Sequence, residues 1–460
     1  MQSFDHIILG TGQATGTLLG GLLATGESIA IIEGGKIGGS CVNVGCTPTK
    51  TLVASARVAH MARRGAAYGV FTDNLRVSFP DVMARMDKVR NSSRQGLEGW
   101  ITSQEQITLF RGWGKFVGER QIQIGDEVIT GHKIYINVGT RTRVANMKGI
   151  DAVPWLDSGR LLDLEALPEH LVIMGGSYIG LEFAQAFRRF GSEVTVIEHN
   201  SRLVKHEDED ISAAITDILA EEGINIETSV SACCVEQTAD GGIRVFEDRA
   251  GDRSFEGSHL LLGVGREPAT GGLGLDAAGI EIDDRGYIKV DDYCNTTAKN
   301  VFAVGDVNGH GAFTHTSVND AEIVLDQMRG GDRKLSDRIV TYGLFIDPAL
   351  GRVGLTEAQA LAKGYRVLKA TRPMAKISRA KEMGETKGFV KLLVDADTDL
   401  FLGVAILGIG GDEIINMFTP MMNNKITYKT FRKSVLVHPT VSELLPWTLD
   451  ALKPVEAQAG

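Results

Sequence analysis

The sequence predicts an α/β fold: two strand–turn–helix–strand units followed by an α+β C-terminal part. Three observations predict it. An apolar strand runs into a glycine-rich turn twice, at residues 10–16 and again at 175–180. Each turn leads into a helical stretch and then a second apolar strand that closes on an acid, Glu33 or Glu198. From residue 340 onward the pattern becomes mixed strand and helix.

Composition bounds the reading. With 460 residues the chain is long enough for several domains, each with its own core. Hydrophobic residues make up 43% and charged residues 23%, ordinary for a globular protein. The 55 glycines are too many for turns alone and fit repeated close approach of backbone to phosphates and rings. A net charge of −10 argues against nucleic acid or an anionic membrane as partner. Five cysteines, an odd and sparse set, argue against a secreted disulfide framework. The chain enters an apolar strand almost at once, at Ile7-Ile8-Leu9, and no apolar run reaches membrane-spanning length. No signal peptide is expected, and the expected compartment is a reducing cytoplasm.

The first unit starts with His6-Ile7-Ile8-Leu9 as a strand. Gly10-Thr11-Gly12-Gln13-Ala14-Thr15-Gly16 is the turn, and Ile29–Glu33 is the second strand. Dinucleotide folds need glycines here for the tight turn, for pyrophosphate approach and for helix packing. The helix N-terminus then offers free N–H groups to phosphate. Glu33 stands where a carboxylate holds ribose hydroxyls. The third fingerprint position carries Thr15, followed by Gly16: either the turn shifts or Thr15 packs at the helix–strand contact. Helices are expected over 50–66 and 79–99, and short strands over 105–145 that end in the apolar run 134–140 with Gly139.

The second unit starts with Leu171-Val172-Ile173-Met174, then Gly175-Gly176-Ser177-Tyr178-Ile179-Gly180. A helix is expected over 181–190 and a strand over 194–198, ending at Glu198. Ser177 replaces the second fingerprint glycine but is small enough to let a pyrophosphate approach. Two such units mean two dinucleotides, or a duplication that kept one. Residues 259–268, with Gly265, read as a strand and a glycine turn. Residues 301–306 read as an apolar strand ending in Gly305-Asp306, and Thr314 opens a helix to 328. Further on, a long apolar strand is expected over 400–408, a helix over 413–422, and a loose tail over 454–460.

Ahead of the first of these helices stands Gly38-Gly39-Ser40-Cys41-Val42-Asn43-Val44-Gly45-Cys46-Thr47-Pro48-Thr49-Lys50. A five-residue step in a regular helix separates Cα atoms by about 8–9 Å, beyond the roughly 4.4–6.8 Å that a disulfide spans. A bridge between Cys41 and Cys46 therefore requires a break in helix geometry, for which Gly45 supplies the freedom. Pro48 suits the first turn of the helix that follows. The spacing alone leaves two unrelated buried thiols, or half of a metal site, as alternatives.

With its two turns and the return strand, this cysteine segment resembles the redox helix of the flavin-dependent pyridine nucleotide-disulfide oxidoreductases. That family includes dihydrolipoamide dehydrogenase, glutathione reductase and mercuric reductase. The resemblance runs over nearly the whole chain, and Thr47-Pro48-Thr49-Lys50-Thr51-Leu52 is similar to a mercuric-reductase-like bacterial branch.

It implies FAD at the first unit, near Gly10, Gly12, Glu33, Gly39, Ser40 and Gly139. A nicotinamide cofactor follows at the second, near Gly175, Gly180, Glu198 and Gly265, with NADH expected and NADPH possible. Asp306 takes a ribityl hydroxyl, and the helix opened by Thr314 points at the flavin's pyrimidine edge. Lys50 and Glu182 match an ion pair near the flavin N5 and nicotinamide. Cys46 is implied to be the flavin-facing thiol and Cys41 the interchange thiol. His438, oriented by Glu443, is the acid–base group in Val437-His438-Pro439-Thr440-Val441-Ser442-Glu443. Where relatives often carry proline stands His315, read as a helix-start residue.

The implied organisation is 1–145 and 268–337 for FAD, 146–267 for NAD(P), and 338–460 for a dimerisation domain. The implied protein is a homodimer with shared active sites acting on a small-molecule disulfide or dithiol. Cys233, Cys234 and Cys294 read as structural thiols, and no resident metal is expected. Two rival readings are a mercuric-reductase-like enzyme, although no cysteine follows Cys294, and a low-turnover flavin sensor.

Overall fold

The computed structural model describes residues 1–247 and 253–455. Its first sheet assembles from β1 (Gln2–Leu9), β2 (Ile29–Glu33), β3 (Ile107–Arg111), β4 (Gly114–Gly118), β5 (Gln121–Ile124) and β6 (Glu127–Ile136) in the order β3-β2-β1-β6-β5-β4. The pairs β1–β2, β2–β3 and β1–β6 are parallel. Parallel strands buried on both faces need continuous apolar runs, and Ile7, Ile8, Ile29 and Ile31 are fully buried. Between the strands lie α1 (Ala14–Leu22), α2 (Gly39–Asn43), α3 (Cys46–Arg64) and α4 (Phe79–Thr102).

The chain leaves this sheet through β7 (Thr140–Thr142) and a short α5 (Ser158–Leu161). It builds a second parallel sheet from β8 (His170–Met174), α6 (Tyr178–Phe190), β9 (Glu193–Ile197), α7 (Glu209–Glu221) and β10 (Asn225–Glu227). An antiparallel trio, β11 (Cys234–Gln237), β12 (Ile243–Phe246) and β13 (Ser254–Gly257), precedes β14 (His259–Leu262), which pairs with β8. The return runs through β15 (Arg266–Pro268), which pairs antiparallel with β7. Then β16 (Val301–Ala303) joins β6, and α8 (Thr314–Met328) follows.

The C-terminal part is one antiparallel sheet, β17-β18-β21-β20-β19-β22. It is built from β17 (Thr341–Leu344), β18 (Leu350–Gly354), α9 (Glu357–Ala362), β19 (Val367–Pro373), α10 (Ser378–Glu382), β20 (Phe389–Asp395) and β21 (Phe401–Leu407). The helix expected over 413–422 is broken into α11 (Gly411–Ile414), a 3-10 turn (Ile415–Met417) and α12 (Phe418–Asn423). Pro420 has no N–H to bond the carbonyl four residues back, which removes a rung of a continuous helix. The tail expected from 454 is in part a strand: β22 (Lys453–Pro454) pairs with β19. Residues 456–460 of that tail lie outside the described residues.

Three parts meet in one apolar cluster that fixes the site. Leu52 of α3, Phe79 and Met83 of α4, Phe183 and Phe187 of α6, and Leu344 and Leu407 of the C-terminal sheet are all buried in it. Phe187 is fully buried and lies 5.9–6.3 Å, ring to ring, from Phe79, Phe183 and Phe190. Phe187→Ala is expected to destabilise the fold by about 3–5 kcal/mol, read as a lower denaturation midpoint in a urea titration.

Candidate active site

The helix break that a Cys41–Cys46 bridge requires is present. The helix stops at Asn43, resumes at Cys46, and Val44 and Gly45 lie between with non-helical backbone. A Cβ on Gly45 would sit 2.9 Å from the Ser40 carbonyl oxygen, so only glycine fits. Pro48 falls in the first turn of α3.

Cys41 and Cys46 are both thiols here, and both converge on the start of α8. The Thr314 hydroxyl donates to Cys41 Sγ at 3.1 Å and lies 3.5 Å from Cys46 Sγ. The Cys46 pKa is pulled down to about 6, first by the hydrogen bond from Cys41, then by the Thr314 hydroxyl and the Lys50 charge; burial and Glu182 oppose this. Cys41 is pushed up, first by that same bond and then by burial. Proton affinity is thus higher at Cys41 than at Cys46.

Lys50 lies one helical turn on from Cys46, and its Nζ donates to Glu182 Oε2 at 2.7 Å. Glu182 is buried on α6 and also accepts the Phe345 N–H at 3.0 Å. The ammonium sits 4.6 Å from the centre of the Phe345 ring. This ion pair ties the first unit to the second.

The turn after β1 is closed to side chains at Gly10 and tight at Gly12. Gly10 has a φ of +93°, and a Cβ there would lie 2.5 Å from the Asn137 carbonyl oxygen. A Cβ on Gly12 would strike the Asn137 amide at 2.7 Å, and one on Gly39 would strike Gly12 Cα at 2.9 Å. Thr15 packs at the helix–strand contact, fully buried, and accepts from Asn137 Nδ2 at 3.0 Å. Glu33 accepts the N–H groups of Thr11 (2.9 Å) and Gly35 (2.7 Å).

Gly305 N–H donates to the buried Asp320 carboxylate at 2.8 Å, which anchors the Gly305-Asp306 turn to α8. Asp306 accepts the Thr140 hydroxyl at 2.9 Å, and burial raises its carboxyl pKa. Arg266 bridges Thr140 and Ser40, its guanidinium 3.2 Å from Ser40 Oγ. A glycine cradle, a strand-end acid and a half-buried acceptor fit a flavin dinucleotide.

At the second turn, Gly175 has a φ of +108°, and a Cβ on Gly180 would lie 2.2 Å from the Gly175 carbonyl oxygen. That close approach puts Gly180 inside the first turn of α6, which starts at Tyr178 rather than near 181. Glu198 accepts from Gly176 N–H at 2.6 Å and Asn200 N–H at 2.7 Å. Gly175, Glu198 and Gly265 line a cleft of about 490 Å³ that fits part of a second dinucleotide. Gly139 and Gly265, both at positive φ, flank the β7–β15 ribbon. Their carbonyls accept the N–H groups of Ala269 and Arg143, each at 3.0 Å.

His438 stands apart. Its Nδ1 lies 2.8 Å from Glu443 Oε2, and Thr440 holds the loop through bonds to Val437 and Glu443. Its side chain is 75% exposed. Among the described residues, no hydrogen bond of His438 reaches Cys41 or Cys46. His315 donates from Nε2 to the Thr341 carbonyl at 2.7 Å and stacks on Phe313, tying α8 to β17.

Sequence reasoning missed Asn137 and Arg266. Asn137 had a signal, as the polar residue inside the apolar run 134–138. Arg266 had none, because its partners are 126 and 226 positions away.

This fold, with paired cysteines at a helix break and two glycine cradles, defines a two-dinucleotide oxidoreductase working through thiols. The chain belongs to the pyridine nucleotide-disulphide oxidoreductase family, whose model matches residues 4–321, with the family's dimerisation domain over 340–449. It is an FAD-dependent, NAD(P)H-linked disulfide oxidoreductase.

Among relatives, it is 36% identical to the probable pyridine nucleotide-disulfide oxidoreductase RclA of Escherichia coli, over 97% of this chain and 98% of that protein. It is 33% identical to a mercuric reductase of Bacillus cereus, over 96% of this chain and 70% of that protein. With the dihydrolipoyl dehydrogenase of Thermus scotoductus it shares 31%, over 98% of each. The Cu(II) complex of E. coli RclA, titled an HOCl-induced flavoprotein disulfide reductase, superposes with a TM-score of 0.89 at 34% identity, covering 98% of this chain and 99% of that one. No helix among the described residues is long and apolar enough to cross a membrane.

Proposed function

We propose that Cys41 and Cys46 are the redox-active pair of a homodimeric enzyme that reduces a small-molecule disulfide in a reducing cytoplasm, or oxidises a dithiol in reverse. The observation that carries this is the convergence of both sulfurs, across a break in the helix, on the Thr314 hydroxyl at 3.1 and 3.5 Å. Exchange needs a thiolate on one sulfur and a proton for the departing one. Cys41 keeps its proton until an acid–base group takes it, and His438, held by Glu443, is that group. FAD and NAD(P)H, when bound, supply the two-electron transfer.

The chain's part is to hold and exclude. Gly10, Gly12, Gly39, Ser40 and Gly139 leave room for the flavin cofactor, Glu33 takes ribose hydroxyls, and Asp306 takes a ribityl hydroxyl. The α8 N-terminus at Thr314 favours negative charge beside it. Lys50, ion-paired with Glu182, keeps a cation beside Cys46. Gly175, Gly180, Glu198 and Gly265 hold the nicotinamide cofactor. We divide the chain as 1–145 with 268–337, 146–267, and 338–460.

His438 comes from the second subunit in this reading. What supports it is the 75% exposure of His438 and of its neighbours, Val435 at 97% and Val437 at 77%, an apolar rim for a partner to cover. A two-fold interface forms each contact twice and so completes both sites.

The test is anaerobic reduction by NADH, then challenge with a panel of disulfides, Hg(II) and Cu(II). Sustained consumption of a disulfide is expected. A protein that delivers its electrons once and stops is the low-turnover sensor, and one that turns over only with metal ions is a metal-ion reductase.

NADH is expected to be preferred over NADPH, because Glu198 repels a 2′-phosphate. His199 lines the same cleft, whereas the Arg202 guanidinium donates to the Lys205 and Glu207 carbonyls. Comparison of kcat/KM for the two reductants checks this, and parity or a preference for NADPH contradicts it.

A further inference from the structure

Cys233 and Cys234 lie outside the catalytic centre proposed above. Neighbouring residues in a regular strand point to opposite faces of the sheet. Here the two sulfurs meet, 3.1 Å apart, and both residues are half-buried. β11 begins only at Cys234, so the backbone entering it departs from the alternating pleat.

The main chain around the pair is clamped. Cys233 N–H donates to the Phe246 carbonyl at 3.0 Å, and its own carbonyl accepts the Lys148 N–H at 3.0 Å. Val235 N–H returns a bond to the Lys148 carbonyl at 2.9 Å. Next to these residues, Ala232 and Met147 line the cleft of about 490 Å³ that also holds Glu198. The dithiol and the cleft wall share one piece of backbone.

We propose that Cys233 and Cys234 form a second dithiol site, which a hydroperoxide converts to a vicinal disulfide that weakens dinucleotide binding in the adjoining cleft. One thiolate attacks a peroxide oxygen and becomes a sulfenic acid as the O–O bond breaks, releasing water or an alcohol. The second thiol displaces the sulfenic hydroxyl as water, and the S–S bond forms. In sum the two thiols lose two protons and two electrons, and the peroxide takes both.

Adjacent Cα atoms are held about 3.8 Å apart by the trans peptide, short of the roughly 4.4–6.8 Å that disulfides favour. Closing the bond therefore strains the backbone clamped at Cys233 and Val235, to which Ala232 of the cleft wall is joined. Such a bond is also readily reduced by thiols, which makes the change reversible.

The effect on the cleft rests on its reading as the nicotinamide-cofactor site; the disulfide itself does not. The test treats the wild-type holoenzyme with hydrogen peroxide, alkylates free thiols, and maps the peptide carrying both cysteines by mass. NAD+ affinity is measured before and after by calorimetry. The expected result is a peptide lighter by two hydrogens, a several-fold rise in the NAD+ Kd, recovery of both with dithiothreitol, and no such rise in Cys234→Ser. Two alkylatable thiols after treatment, or separate sulfinic acids, overturn the site. A disulfide that leaves the Kd unchanged overturns the coupling. Glu198→Ala reports separately on the cleft: if it binds NAD+ as wild type does, the reading of the cleft fails while the dithiol stands on the mass map.

Discussion

His438→Ala is expected to slow disulfide turnover by about 10²–10⁴-fold, with much less effect on the rate at which NADH bleaches the flavin. The imidazole acts on the thiol exchange, and the dinucleotide half of the reaction does not use it. Glu443→Gln is expected to show a smaller loss in the same half-reaction, because it keeps the 2.8 Å partner of Nδ1 but removes its charge. The decisive measurement is complementation. Inactive His438→Ala and inactive Cys46→Ser proteins, mixed under conditions of subunit exchange, are expected to recover part of the activity. In a heterodimer one site has both intact cysteines and an intact His438. No recovery despite proven exchange, or full turnover by a monomer, contradicts the shared site.

Cys46→Ser is expected to abolish disulfide turnover and, with it, the long-wavelength absorption of a thiolate held against oxidised flavin. Cys41→Ser is expected to lose turnover as well but to show that band without any reductant, because its remaining sulfur can no longer be tied up in a bridge. The pH dependence follows from the Cys46 pKa of about 6. A lowered pKa means the anion is the neutral-pH form. In the two-electron-reduced wild type the band is therefore expected to persist above that pH and to fade as pH drops through it. Spectra taken across a pH series under anaerobic conditions check both points, and identical titrations for wild type and Cys46→Ser contradict the assignment.

Local chemistry was legible in the chain, and distant partnerships were not. A helix break between Cys41 and Cys46 was expected if the two sulfurs bridge, from a distance mismatch and a glycine, and the structure has the break. The choice between the two placements of Thr15 was not legible, since it is decided by Asn137, 122 positions away. The apolar stretch over 413–422 read as one helix because periodicity is blind to the missing N–H of Pro420. The meeting of the Cys233 and Cys234 sulfurs was invisible for a related reason. Strand alternation separates neighbours, and the partners that hold this backbone, Lys148 and Phe246, are distant in sequence. Lys50 and Glu182 were named by resemblance alone, and what brings them within 2.7 Å is the burial of Leu52 and Phe183 in a common core.

The β7–β15 ribbon carries a consequence for how such a protein is put together. The outgoing and returning strands are paired side by side, Thr140 opposite Pro268 and Thr142 opposite Arg266. Everything from 143 to 265 is therefore an insertion whose two ends meet, and a short linker is long enough to bypass it. Geometry permits the excision, but surface chemistry resists it. Removing α6 strips the cover from Leu52, Phe79 and Met83 and leaves Lys50 without its counter-charge. The inserted module is separable as a length of chain and inseparable as a solvent-facing body, so a viable excision also requires polar replacements along α3 and α4.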